Sequence, residues 1–410
     1  LLELGLRGIM GQVEQKLKEL DGGYYEKGEI HASDYMERRY NYQAMLIALQ
    51  AGIDFSKRYA ALAREMADKE KDEKRKGELL QIAEVCDWVP ENPARTFHEA
   101  IQSYFLCNLI SRDIEVDGQG LGDRFDVLFN PYYQKDKAEG RITRQQAQEL
   151  VECFLAKQAE SSHLKSPQGA TLFSGISKLK DVNIGGVLPN GDDATNELSF
   201  IVLDAAESTQ LPEPTIALRY HPKINQELIL KAIDVIHTGV GYPAIYNDSA
   251  MIPFLVGRGI PLEEARNWGV TACVIPSVPG KCVHSQRPNY GVINLAKCLE
   301  LALYQGKDKD GYSGKQLGPK TPDPKTFTCI EDVTEAYLTQ VNSIAHKVVQ
   351  IDNIAQVFYS QELQRPFTSA LLDDSLEQGK DCVSISYNSI TNILFCGTTN
   401  VANSLAAIKK

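Results

Sequence analysis

The first part of the chain keeps a helical rhythm. Apolar positions recur at three- and four-residue spacing over 14–20, 35–51 and 55–83, with charge on the opposite face, which predicts an almost wholly helical segment across 1–85. The run Lys69-Glu-Lys-Asp-Glu-Lys-Arg-Lys76 nearly cancels its own charge. It reads as a solvated face or a turn between helices rather than a binding patch. Pro90 and Pro93 break the pattern. Thr96 then offers an N-cap, with Glu99 in the capping-box position, for a helix running to residue 110. Another helix is predicted from Thr143 to about residue 160.

From residue 181 the texture changes. Val182-Asn-Ile-Gly-Gly-Val-Leu188 reads as a strand and ends in the turn signal Pro-Asn-Gly. Further strand-like pieces at 215–219, 242–246 and 269–275 alternate with helical periods at 193–209, 225–238, 250–257 and 262–267. A longer helix is predicted over 292–304. This alternation points to a mixed or parallel sheet wrapped in helices. Residues 306–327, rich in Gly, Lys, Pro and Asp, make an exposed excursion, and helical patterns return at 330–357 and 371–378.

Composition narrows the function classes. The 410 residues are 43% hydrophobic and 24% charged, an ordinary globular balance. The formal charge of -11 argues against nucleic-acid or membrane-surface partners, which favour a basic face. No run approaches the roughly 20 apolar residues that span a bilayer. Nine cysteines, an odd number with no Cys-x-x-Cys pair, suit free thiols in a reducing compartment, with cytoplasm as the expectation. The chain opens at Leu1 with a helical pattern already under way, so a portion of a longer protein is expected.

Candidate chemistry is sparse. Gly118-Gln-Gly-Leu-Gly122 lacks the full dinucleotide-binding spacing, and no helix start is evident after it, so a loop is expected rather than a phosphate cradle. Gly185 to Gly191 reads as a tight turn. The seven histidines form no His-x-x-x-His or His-Cys cluster, and no metal site is predicted. Cys273 and His284 are conceivable as a nucleophile and base, but spacing alone assigns them no role. Cys273 stands out for its setting, Val270-Thr-Ala-Cys-Val-Ile-Pro-Ser-Val-Pro-Gly-Lys281. Taken alone it is a small buried hydrophobe. The prolines at 276 and 279 place it at a strand end or loop apex, where sites are commonly built, with polar residues 284–290 following.

The order of motifs carries more. The relevant stretches are Val89-Pro-Glu-Asn-Pro-Ala-Arg-Thr-Phe-His-Glu-Ala100, Asp123-Arg-Phe-Asp126 with Pro131-Tyr-Tyr133, Gly185-Gly-Val and Asp192-Asp-Ala-Thr-Asn-Glu-Leu-Ser199. They continue through Leu211-Pro-Glu-Pro-Thr215, Gly241-Tyr-Pro-Ala-Ile-Tyr-Asn-Asp248, Cys273-Val-Ile-Pro and Gly291-Val-Ile-Asn-Leu-Ala-Lys297. Phe367-Thr-Ser-Ala-Leu-Leu-Asp-Asp374 and Asn400-Val-Ala-Asn-Ser-Leu-Ala-Ala-Ile-Lys409 complete the series. In this order the chain resembles the glycyl radical enzymes, the pyruvate formate-lyase-like superfamily.

That resemblance implies an α/β fold: a ten-stranded α/β barrel of two antiparallel half-barrels surrounded by helices. Residues 1–410 would form one large barrel domain, mainly helical over 1–110 and carrying the barrel strands and cysteine loop over 111–410. It implies Cys273 as the catalytic thiol, oxidised to a thiyl radical by a stored glycyl radical, and a dry cavity around it. Gln286, Tyr290, Asn247 and Ser174 are the candidate substrate-binding residues. The reaction class implied is lyase, dehydratase or decarboxylase chemistry on a small polar or acidic molecule. Coenzyme A-dependent acyl transfer is one alternative, and an inactive or structural component needing a separate glycyl subunit is another.

Two positions depart from the pattern. Many members carry a glutamate base two residues after the cysteine, where this chain has Ile275. The formate-lyase type has paired cysteines, and here Ala272 takes the first place. Nothing like the C-terminal Arg-Val-x-Gly-Tyr radical loop occurs in the 410 residues. The resemblance therefore implies a radical glycine outside the chain, installed by a radical S-adenosylmethionine activating enzyme. No cofactor bound by the chain itself is expected, and a homodimer is.

Overall fold

The computed structural model of the chain describes residues 1–115, 123–160, 167–172, 180–271, 274–281, 290–309, 314–385 and 392–410. The chain opens with helices α1 (Gly5–Gly22), α2 (Ala32–Lys69), α3 (Glu73–Trp88), α4 (Phe97–Leu109), α5 (Phe125–Ala138), α6 (Arg144–Glu160) and α7 (Pro167–Leu172). Strands and helices then alternate: β1 (Asp181–Gly185), α8 (Glu197–Thr209), β2 (Thr215–Tyr220), α9 (Gln226–His237), β3 (Ala244–Asn247), α10 (Asp248–Val256) and α11 (Leu262–Arg266). β4 (Gly269–Thr271), β5 (Ile275–Ser277), β6 (Tyr290–Asn294), α12 (Leu295–Leu303) and α13 (Ile330–Glu362) follow. The chain closes with α14 (Pro366–Ala370), α15 (Asp373–Gln378), β7 (Asn392–Cys396) and α16 (Thr398–Lys409).

Two compact units result, Leu1–Gln286 with Gln364–Asn388, and Arg287–Leu363 with Ser389–Lys410. In the first, β1, β2 and β3 form a parallel sheet in which Val182 pairs with Ile216 and Leu218 with Ile245. Its strands are apolar runs because the sheet is covered: Val182, Ile184, Ile216 and Leu218 join Phe125 and Phe154 in one buried cluster. β4 and β5 form a separate antiparallel pair. In the second unit β6 and β7 run parallel, and Leu299, Val333 and Val401 form a small core. Both units are helix-rich with small sheets.

Local signals explain most boundaries. The charged run at 69–76 contains the helix–helix turn, residues 70–72, with the Asp72 carboxylate accepting the Arg75 N–H at 2.8 Å. Thr96 caps α4 by accepting from Glu99 N–H, whereas the Glu99 carboxylate accepts the Arg95 N–H rather than that of Thr96. The Gly185–Gly191 segment turns tightly, with Gly191 N–H donating to the Leu188 carbonyl. Gly186 takes a φ of +76°, and a Cβ there would meet the Arg219 guanidinium at 2.7 Å.

The structure departs from four expectations. α2 runs unbroken through 52–54, because Gly52 faces the Phe367 ring, where a Cβ would lie 2.7 Å from a ring carbon; close packing there outweighs glycine's poor helix propensity. A helix, α5, does begin soon after the glycine loop, at Phe125. Residues 292–294, read with the following helix, belong to strand β6, since parallel pairing with β7 overrides a short ambiguous apolar run. Finally, 269–275 is not one strand. Thr271 pairs with Ile275, so the chain turns back on itself between them.

Candidate active site

The hairpin β4–β5 is the element around which the candidate site is built, since residues 272–274 connect its strands. Its base is buried: Thr271, Ile275 and Ser277 are all nearly inaccessible, whereas Val274 is half-exposed. Pro276 lies within β5 opposite Val270. Both backbone groups of Val270 point away from β5, to the Asn183 side chain, so the proline's missing N–H leaves nothing unpaired in the hairpin.

Asn183 on β1 clamps that hairpin. Its Oδ1 accepts the Val270 N–H at 2.6 Å, and its Nδ2 donates to the Val270 carbonyl at 2.9 Å. Asp123 holds Asn183 in turn, its Oδ1 accepting the Asn183 N–H at 2.9 Å and Nδ2 at 3.1 Å. Tyr104 donates to the other Asp123 oxygen at 3.3 Å. Gly269 fits because it has no side chain, for a Cβ would lie 2.6 Å from the Asp123 carbonyl oxygen.

A second buried cluster fixes the approach to β4. The Arg219 guanidinium grips Asp248 through two bonds, 2.9 and 2.8 Å, with both side chains essentially inaccessible. It also donates to the Trp268 carbonyl at 2.8 Å and the Arg266 carbonyl at 2.9 Å. The Trp268 indole N–H donates to Asp248 at 2.9 Å, and Arg219 lies over the indole at 4.9 Å from its centre. Arg124 donates to the Gly185, Val187 and Arg266 carbonyls. Asp126 accepts from the Gly185 N–H and the Ser199 hydroxyl. The Asp-Arg-Phe-Asp motif is thus a set of buried polar anchors.

Burial dominates the electrostatics. It pushes Asp123 up to about 6, against the hydrogen bonds from Asn183, and raises Asp126. It lowers Arg124 to about 9, with Arg219 adding repulsion, and lowers Arg219 despite its pairing with Asp248. At the start of β1, burial brings Lys180 down to about 7 and raises Asp181 well above the carboxylate range.

The predicted site residues fare unevenly. Cys273, Gln286 and Ser174 lie outside the described residues. Tyr290 opens β6, in the second unit. Asn247 is exposed at the end of β3, where its Oδ1 accepts the Ser249 N–H at 2.9 Å and caps α10. Ile275 is buried in β5, and its carbonyl accepts from the Thr271 hydroxyl at 3.3 Å. The anchors Asn183, Arg219 and Asp248 were not singled out by sequence. For Asn183 and Arg219 the signal was there, in polar residues set inside apolar strand runs, as in Val-Asn-Ile and Ile-Ala-Leu-Arg; Asp248 opens helix α10 and carries no such mark.

Grooves formed by described residues of the first unit include two. One of about 370 Å³ is lined by Arg95, His98, Lys135 and Arg141, and one of about 690 Å³ by Lys16, Lys281, Asp373, Asp374 and Glu377. Neither is lined by β4 or β5. Among the described residues no group of three His, Cys, Asp or Glu side chains is placed to hold a metal ion. No helix among them is long and apolar enough to cross a membrane.

The family model for pyruvate formate lyase-like proteins matches residues 1–410. The chain belongs to that family. It is 34% identical over 418 residues to the isethionate sulfite-lyase of Nitratidesulfovibrio vulgaris, covering 100% of this chain and 49% of that protein. A solved structure concerned with 1,2-propanediol dehydration in Roseburia inulinivorans superposes with a TM-score of 0.89 at 33% identity, covering 100% of this chain and 50% of that one. A glycyl radical enzyme from Archaeoglobus fulgidus superposes with a TM-score of 0.88 at 29% identity, covering 98% of this chain and 50% of that one. The chain spans about half the length of these relatives.

Proposed function

We propose that the chain is the cysteine-bearing barrel portion of a glycyl radical enzyme that cleaves a bond in a small polar or acidic substrate, with Cys273 carrying the hydrogen atom. The observation that carries this reading is the clamped hairpin. Residues 272–274 join two strands whose base is held by the Asn183 side chain against Asp123, behind the Arg219–Asp248 pair. A thiol that must exchange a hydrogen atom needs fixed placement more than it needs a base, because a thiyl does not depend on a lowered thiol pKa.

The finer architecture belongs to this proposal: the described sheets are parts of a ten-stranded barrel of two antiparallel half-barrels, and the 410 residues act as one barrel domain. A radical stored on a glycine outside these residues takes the hydrogen atom from the Cys273 thiol. That radical is installed by an S-adenosylmethionine-dependent activating enzyme. Gln286, Tyr290, Asn247 and Ser174 are proposed to line the substrate pocket. A cytoplasmic homodimer completes the reading.

The relatives' names, a sulfite-lyase and a structure of 1,2-propanediol dehydration, support a reaction in which a small group leaves the substrate. The test is Cys273→Ser in the full-length, anaerobically activated protein. The glycyl radical signal should persist while turnover of isethionate and 1,2-propanediol falls to background. Retained turnover would end the thiyl assignment.

A further inference from the structure

Resting on the reading of Cys273 as hydrogen-atom carrier, we propose that Asp181 is the carboxyl group that meets the substrate beside the cysteine hairpin, taking the proton-handling role that Ile275 cannot fill. The direction of β4 is the first support. The Trp268 carbonyl is bound by Arg219, which pairs with Gly185 across the sheet, whereas Val270 is bound by Asn183. The hairpin therefore travels antiparallel to β1, and Thr271 heads toward the Asp181 end of that strand. Side chains alternate along a strand, so Asp181 shares the face from which Asn183 reaches β4.

The second support is the state of the carboxyl itself. Both Asp181 oxygens are buried and neither has a hydrogen-bond partner. The neighbouring carboxylates differ: Asp123, Asp126 and Asp248 each accept hydrogen bonds from the protein. A buried polar group without a partner costs roughly 1–3 kcal/mol, and a substrate hydroxyl would supply the partner. Three charged groups act on it from adjoining elements. Arg112 stabilises the ionised form, while Asp123 and Glu213 oppose it. Burial outweighs all three and raises the carboxyl well above its ordinary range, favouring the form with an O–H to give.

The chemistry this allows is balanced. Once the thiyl has removed a hydrogen atom from a carbon bearing a hydroxyl, the Asp181 O–H passes its proton to the neighbouring hydroxyl oxygen. The carbon–oxygen bond breaks, its electron pair staying with the departing water. The Asp181 carboxylate then takes the proton of the remaining hydroxyl. A carbonyl forms, the unpaired electron settles on the carbon that lost oxygen, and the neutral carboxyl is restored. Returning the hydrogen atom from the Cys273 thiol completes the turnover.

The test uses the full-length, anaerobically activated protein with 1,2-propanediol and isethionate as probes. Asp181→Asn keeps the shape and removes the acid. The glycyl radical signal should be unchanged, kcat for propanediol should fall about 100- to 1,000-fold, and the alkaline limb of the wild-type kcat–pH profile should vanish from the residual activity. A kcat within threefold of wild type overturns the proposal. Infrared difference spectra of the unmodified protein add a readout that needs no variant. The carbonyl stretch of a buried neutral carboxyl should shift on adding propanediol, and its failure to shift also overturns the assignment. An inactive Cys273→Ser with an active Asp181→Asn removes this inference alone. A wild type that forms no radical, or turns over neither probe, removes the parent reading and this one with it.

Discussion

Replacing Asn183 by Ala tests whether the clamp positions the cysteine hairpin. The amide makes two hydrogen bonds to Val270, of 2.6 and 2.9 Å, and one of 3.1 Å to Asp123. Truncation strands the Val270 N–H and carbonyl in a site where Val270 is 1% exposed. Asp123 is less affected, because it keeps the Asn183 backbone N–H. Two buried backbone groups at roughly 1–3 kcal/mol each give about 4 kcal/mol. The cost falls first on hairpin docking, because the parallel register of β1 with β2 does not use the Asn183 side chain. At about 1.4 kcal/mol per factor of ten, the open hairpin becomes roughly 1,000-fold more populated. Hydrogen exchange of the full-length protein, read in a peptide spanning 268–278, should show protection falling by about that factor, with turnover falling alongside. Protection within threefold of wild type would refute the clamp.

Other perturbations read the same network. Asp248→Ala leaves the Arg219 guanidinium buried without its counter-ion and should cost about 3–5 kcal/mol in urea unfolding; a loss under 1 kcal/mol would show that the pair is not structural. Asp123 titrates near 6 in the folded protein against an ordinary 3.8, a difference of about 2 units, or about 3 kcal/mol. The sign follows from the raised value. Its neutral form favours folding fully below about pH 3.8, and that contribution disappears as pH rises through about 6. The stability of wild type relative to Asp123→Asn should therefore drop by about 3 kcal/mol between pH 3 and pH 7, and a constant difference would contradict the assignment.

The parts of the fold that sequence made legible share one property: their signals are local. Thr96 caps a helix because its own side chain reaches the backbone N–H three residues on. The alternation from 181 onward gave the parallel strands and their connecting helices, because covered strands need continuous apolar runs. The errors came where distant residues decided. Gly52 is helical because Phe367 packs on it, and 292–294 belongs to a strand because 392–396 lies beside it. Neither partner is visible within a window of local sequence.

The candidate site divides in the same way. The order of motifs marked the family, and that resemblance pointed to Cys273, since motif order is a property of the sequence alone. Which side chains surround the hairpin was set by tertiary structure. Asn183 lies 87 residues from Val270, and Asp248 lies 29 from Arg219, so their hydrogen bonds form only when separate elements pack together. Asp181 illustrates the difference most clearly. In sequence it is an ordinary acidic residue before an apolar run, and only burial without a partner turns it into a group able to hold and release a proton.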